Sequence, residues 1–176
     1  MGLPIEYIPN YTVRDWENWQ GDWELIEGVA FALASPSIYH QLLVSNLIYT
    51  LRNSIGCENC KVIPEIDYYI SENTVVRPDV VVSCRNLSAK LTVTPEIIFE
   101  VISESTVKVD EEIKKQIYER EGVSYYILVY PFENRKKVKI FHLKDGFYRK
   151  VFEDFEGEFE FSLNSCSFKV DISKIW

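Results

Sequence analysis

The chain reads as an α/β domain built on a mixed central sheet, and three observations predict it. Apolar runs of strand length, rich in β-branched and aromatic residues, recur from Val62 to Ile70, Val80 to Ser83, Ile97 to Ile102 and Tyr125 to Tyr130. Such runs suit strands buried on both faces. Two other stretches carry helical spacing: Ile38, Leu42, Leu43, Leu47, Ile48 and Leu51 in one, and Val109, Ile113, Ile117 and Tyr118 in the other. The final third alternates apolar and polar residues over Lys137 to His142, Phe147 to Phe152 and Glu158 to Val170, which predicts additional β-hairpins. The breaks between these segments have turn character, with no repeat, low-complexity tract or linker, so residues 1–176 are expected to form a single domain.

Each element has a local cause. Thr12-Val13-Arg14-Asp15 has the form of a capping box with Asp in place of the usual Glu or Gln, and opens a short helix through about Trp19. Trp23 to Ile26 and Val29 to Ala34 flank Glu27-Gly28 as a hairpin. Ser35-Pro36-Ser37 starts the first long helix, and Gly56 stops it. Ser105 or Thr106 caps the second helix, from about Val109 to Glu121, and Gly122 ends it.

Composition excludes several functions. A net charge of −8 argues against a protein that coats nucleic acid by bulk electrostatics, since that affinity comes from Lys and Arg displacing counterions. Any nucleic-acid contact must be local. No apolar stretch reaches membrane-spanning length, and Met1 to Asn10 lacks the basic and apolar regions of a secretory leader, so a cytoplasmic location away from membranes is expected. Cys57-Glu58-Asn59-Cys60 has the spacing of half a zinc site, but Cys84 and Cys166 are isolated, and the core looks adequate without staples. Reduced thiols and no structural zinc are therefore expected. Trp16, Trp19 and Trp23 are candidates for core or oligomer contacts, a homodimer included, rather than base-stacking platforms.

The chemistry lies in one charged residue. Within Ile97-Ile98-Phe99-Glu100-Val101-Ile102, an ionised Glu100 loses its hydration and needs a cation, a metal or hydrogen-bond donors beside it. Arg77 is one possible partner. Asp79 opens the preceding strand, and two neighbouring strands could bring both carboxylates to one divalent ion of the kind used in phosphate chemistry. The sequence thus points to a metal-dependent enzyme.

Several segments also match one family in order: Trp23-Glu24-Leu25-Ile26-Glu27-Gly28, Ser35-Pro36-Ser37 with His40-Gln41, Arg77-Pro78-Asp79, Glu100-Val101-Ile102-Ser103, and Lys114 to Tyr118. Over about Thr12 to Tyr148 the chain resembles the Uma2 family of putative restriction endonucleases, within the PD-(D/E)xK nuclease-like superfamily. The resemblance implies a restriction-endonuclease-like core, a mixed sheet flanked by helices. It implies Asp79 and Glu100 as ligands of Mg²⁺ or Mn²⁺, Lys114 as the catalytic lysine and Glu24 as a further acid. The wider superfamily places its lysine two residues beyond the second acid, where this chain has Ile102. Here the lysine is expected from the following helix.

Lys114 competes with Lys115 for that role. At about 100° per residue, Lys114 lies roughly 70° from the centre of the apolar stripe and Lys115 roughly 170°, so only Lys114 can reach inward. His40 and Gln41 fall in the first turn of the first long helix, where helix donors can face a phosphate. The expected function is metal-dependent hydrolysis of phosphodiester bonds in DNA. The alternative is a nuclease-like module that binds nucleic acid or protein without cleaving.

Overall fold

A computed structural model describes residues 9–176. Residues 1–8, most of the segment whose composition argued against a leader, lie outside the described residues. The strands are β1 (Trp23–Ile26), β2 (Val29–Ala32), β3 (Lys61–Pro64), β4 (Tyr68–Ser71), β5 (Thr74–Val76), β6 (Val80–Ser83), β7 (Ile97–Val101), β8 (Tyr125–Tyr130), β9 (Lys137–Lys144), β10 (Phe147–Asp154), β11 (Glu158–Ser162) and β12 (Ser167–Asp171). The helices are α1 (Val13–Trp16), α2 (Ile38–Ser54) and α3 (Lys115–Arg120), with a π-helical stretch, Val109–Lys114, running directly into α3.

The expected mixed sheet is present. Six strands lie in the order β10-β9-β8-β7-β6-β3, antiparallel except where β7 and β8 run parallel. A parallel pair needs a crossover, and the π stretch with α3 supplies it. Every residue of β7 and β8 is buried, which explains why both segments read as continuous apolar runs. Burial of Ile97, Ile98 and Phe99 stabilises the fold by roughly 1.5–3 kcal/mol each.

The sheet divides the interior in two. On one face Val80, Val82, Phe99 and Val101 pack against Val44, Leu47 and Leu51 of α2 and against Phe161, Phe168 and Val170 of the β11–β12 hairpin. On the other, Val81, Ile98, Ile102 and Leu128 meet Ile117 and Tyr118 of α3, together with Ile26, Tyr68 and Val76 of a second sheet ordered β2-β1-β5-β4. Among the described residues no helix is long and apolar enough to cross a membrane.

Several local expectations hold. Thr12 and Asp15 form the capping box, with the Thr12 N–H donating to Asp15 Oδ2 at 2.8 Å. The β1–β2 turn places Glu27 and Gly28 at φ 49° and 82°, the left-handed pair that a tight hairpin turn requires. A Cβ at Gly28 would run into the Asn10 side chain. Trp16, Trp19 and Trp23 pack with Tyr11 and Tyr69 in edge-to-face pairs, and the indoles of Trp16 and Trp23 donate to main-chain carbonyls.

Others need correction. The run from Val62 to Ile70 is two strands in different sheets, because Glu65 adopts φ 43° after Pro64 and breaks it. The second long helix is capped by neither Ser105 nor Thr106. Lys108 stands at the N-cap of the π stretch with no side-chain bond, and Ser103, whose Oγ accepts the Thr106 N–H at 3.2 Å, closes the turn before it.

The cysteines are not free thiols: Cys57 pairs with Cys166 and Cys60 with Cys84. Register explains the second pair. Lys61 stands opposite Ser83 in the β3–β6 ladder, so the next residues outward face each other, with Cα atoms 3.9 Å apart. The β11–β12 turn carries Cys166 to Cys57 from 109 residues away, a separation beyond any local pattern.

Candidate active site

Glu24, Glu100, Asp110 and Lys114 are between 2% and 4% exposed and share one cluster. Lys114 Nζ lies 2.8 Å from Glu24 Oε1, 3.1 Å from Glu100 Oε1 and 3.4 Å from Asp110 Oδ1. The Tyr118 hydroxyl donates to Glu100 Oε1 at 3.0 Å. Glu24, on β1, also accepts the Arg77 N–H at 2.7 Å, which ties the second sheet to the site. The partner of Glu100 is thus Lys114. Arg77 instead pairs with Asp67 and Asp22.

Asp79 enters by register. Val80 faces Phe99 in the antiparallel β6–β7 ladder, so one step further places Asp79 across from Glu100. Asp79 Oδ2 accepts the Val101 N–H at 2.6 Å, and Oδ1 lies 3.2 Å from His40 Nε2. Ser37 caps α2 by accepting the His40 N–H, which fixes the first turn beside the site. Gln41 is turned toward Glu65, its Nε2 donating at 3.1 Å. His40, Gln41, Asp79, Glu100, Asp110 and Lys114 all line one cleft of about 540 Å³.

The helix reading needs one adjustment. α-Helical spacing puts Val109 and Ile113 at the centre of the buried stripe, yet they are only partly buried, while Asp110 and Lys114 are fully so. The widened π turn shifts the buried face by one residue, and such turns concentrate at functional sites. Asp110 was missed for this reason. It is the first of three consecutive acids, Asp110-Glu111-Glu112, with nothing in the run to mark it as buried, although its place four residues before Lys114 is a usable signal. Lys115 stays outside the cluster, its ammonium 4.2 Å from the centre of the Phe141 ring.

The electrostatics leave an excess of negative charge. Burial pushes the Glu100 carboxyl well above the usual carboxylate range; Lys114 opposes this, but Asp110, Asp79 and Glu24 push further up. Burial likewise raises Asp110. Burial alone would lower the Lys114 ammonium, but Glu100, Glu24 and Asp110 outweigh it and hold its pKa well above the ordinary lysine value. Three buried carboxylates against one ammonium, with Asp79 beside them, form an oxygen-rich donor set suited to a hard divalent cation. Mg²⁺ ordinarily takes one or two protein carboxylates and fills its other positions with water and phosphate oxygens, a demand that Asp79 and Glu100 meet. Among the described residues no three His, Cys, Asp or Glu side chains surround one metal position.

His40 gives a testable pH dependence. The hydrogen bond to Asp79 raises its pKa above the ordinary 6.5, against the effect of burial. A raised folded-state pKa adds stability that is fully present below about pH 6.5 and lost as pH rises through the folded value. Stability curves measured from acid to mildly alkaline pH should fall across that window in the wild type and flatten in His40→Ala. Parallel curves would show that the pair adds nothing.

The fold is shared with a solved structure. A putative nuclease of the DUF820 group from Anabaena variabilis ATCC 29413 superposes with a TM-score of 0.74 at 12% identity, over 94% of this chain and 97% of that one. The profile described as "Putative restriction endonuclease" matches residues 10–165, and the chain belongs to this family, Uma2. A DrdV–DNA complex aligns with 78% of this chain and 10% of its own at 14% identity, with a TM-score of only 0.34. No curated protein matches the chain.

Proposed function

We propose that the protein is a Mg²⁺- or Mn²⁺-dependent endonuclease that hydrolyses phosphodiester bonds of DNA. One observation carries this reading: Asp79 and Glu100 meet across β6 and β7 in an open cleft, with a buried lysine ammonium beside them. Asp79 and Glu100 are the ligands that would hold the ion, which when bound polarises the scissile phosphate and lowers the pKa of a bound water.

Lys114, kept protonated by its three carboxylate neighbours, orients the attacking water and offsets charge on the phosphate in the transition state. Its raised pKa excludes it as a neutral base near pH 7. Glu24 and Asp110 hold Nζ in place, and Tyr118 fixes the Glu100 carboxylate. His40 and Gln41, in the first turn of α2, bind the phosphate alongside the helix N–H groups. Water attacks in line, opposite the leaving oxygen.

The net charge of −8 favours a second reading, a nuclease-like module that binds without cleaving. One assay separates the two. The chain, alone and with Mg²⁺, Mn²⁺ or chelator, is incubated with single-stranded, duplex and branched DNA and with RNA. Metal-dependent, chelator-sensitive cleavage of DNA that Asp79→Asn abolishes is expected. Retained binding with no cleavage under any condition would sink the enzyme reading.

A further inference from the structure

All four cysteines of the chain lie on one face of the six-stranded sheet, the face covered by α2 and the β11–β12 hairpin. Cys57 and Cys60 are the ends of a single four-residue turn, closed by the Cys60 N–H donating to the Cys57 carbonyl at 3.1 Å. The ends of such a turn lie within about 7 Å. One end holds Cys166 and the other Cys84. Cysteines from three separate segments therefore meet at one turn, and while they are paired as disulfides no three of them surround one position among the described residues.

We propose that the reduced chain binds a single zinc ion through Cys57, Cys60, Cys84 and Cys166, so that the paired disulfides and a zinc tetrathiolate are alternative states of one cluster. Four thiolates in tetrahedral array are a standard structural zinc set, and Cys-x-x-Cys supplies its first half. The second half, which the sequence leaves scattered, is brought in by the β3–β6 register and the β11–β12 turn. Soft sulfur donors distinguish this site from the oxygen donors of the cleft.

Reducing compartments do not preserve disulfides, and Cys60 and Cys166, at 9% and 5% exposed, would otherwise become buried thiols. One cation stands close by: Lys61 donates its ammonium to the Glu58 carbonyl within the turn at 2.8 Å and can offset part of the negative charge of a zinc tetrathiolate, whereas Arg85, next to Cys84, is paired with Glu96.

The interconversion balances. Each disulfide takes two electrons and two protons from a dithiol, which is oxidised to its own disulfide, and zinc then displaces the proton of each of the four thiols. The bound ion would clamp the turn after α2, the end of β6 and the β11–β12 turn together, with no part in the cleft.

The test uses the whole chain, reduced by a dithiol, freed of it without air and titrated with Co²⁺ and then Zn²⁺. Thiolate-to-cobalt charge-transfer absorption with tetrahedral ligand-field bands is expected, bleached by one equivalent of zinc. Zinc should also protect all four cysteines from iodoacetamide, read as intact mass. Cys84→Ser should weaken zinc binding by more than the roughly 10–100-fold that loss of an outer partner costs. If reduction unfolds the chain, zinc added during reduction should restore its circular dichroism. No thiolate absorption with metal present during reduction, or equal labelling with and without zinc, would overturn the proposal. An unchanged affinity in Cys84→Ser would overturn the four-ligand assignment.

Discussion

Lys114→Ala is expected to lose both activity and much of the stability of the fold. The ammonium is the single cation among three buried carboxylates, and removing one member of a buried ionic set costs about 3–5 kcal/mol because the remaining charges are left uncompensated. Whole domains are stable by only about 5–15 kcal/mol. For a chain of this size that loss lowers the thermal midpoint by roughly 6–20 °C.

The sign of the pH dependence identifies the cause. Without Lys114 the buried Glu100 and Asp110 carboxyls keep pKa values above their unfolded ones, so the variant is least impaired below about pH 4 and worsens as pH rises. Thermal melts of variant and wild type at acid and neutral pH would measure this. A deficit independent of pH would assign the loss to packing instead. Lys115→Ala, which removes only the contact over Phe141, should melt close to wild type.

Glu100→Gln is expected to do the reverse, removing activity while leaving the fold intact. The side chain keeps its shape and still accepts from Lys114 and Tyr118 through the amide oxygen. The charge it loses is one that burial and three neighbouring acids already disfavour. Stability should therefore hold or rise at neutral pH. Metal-dependent cleavage should fall by more than about 100-fold, since the ion's stabilisation of transition-state charge is worth several kcal/mol. Comparing turnover with the urea midpoint of the same preparation checks both halves. Full activity in a folded Glu100→Gln protein would remove this carboxylate from the reaction.

The sequence made the central sheet legible because its middle strands are buried on both faces, and burial writes a continuous apolar run. Glu100 was conspicuous for the same reason. Asp79 was legible as the residue opening the neighbouring strand, Glu24 and Lys114 came from the order of motifs, and the structure brings them together around it. What failed was non-local or irregular. Arg77 was one candidate partner of Glu100, yet Asp67 and Asp22 claim it, and no spacing rule reports which acid a folded arginine meets. Asp110 was hidden because α-helical periodicity does not hold across a π turn. The pairing of Cys60 with Cys84 depends on strand register, and that of Cys57 with Cys166 on a hairpin brought from the far end of the chain.

The widened turn at Val109–Lys114 makes the aim of one side chain depend on the length of a segment rather than on its composition. A π turn is an α-helical turn holding one residue too many. Deleting one of residues 111–113 would let the helix relax to ordinary pitch with its two flanks still in phase, while shortening the step from Asp110 to Lys114 from four residues to three and setting the two side chains about 60° apart. In this helix a count of residues, rather than the identity of each, sets how the lysine meets its acids.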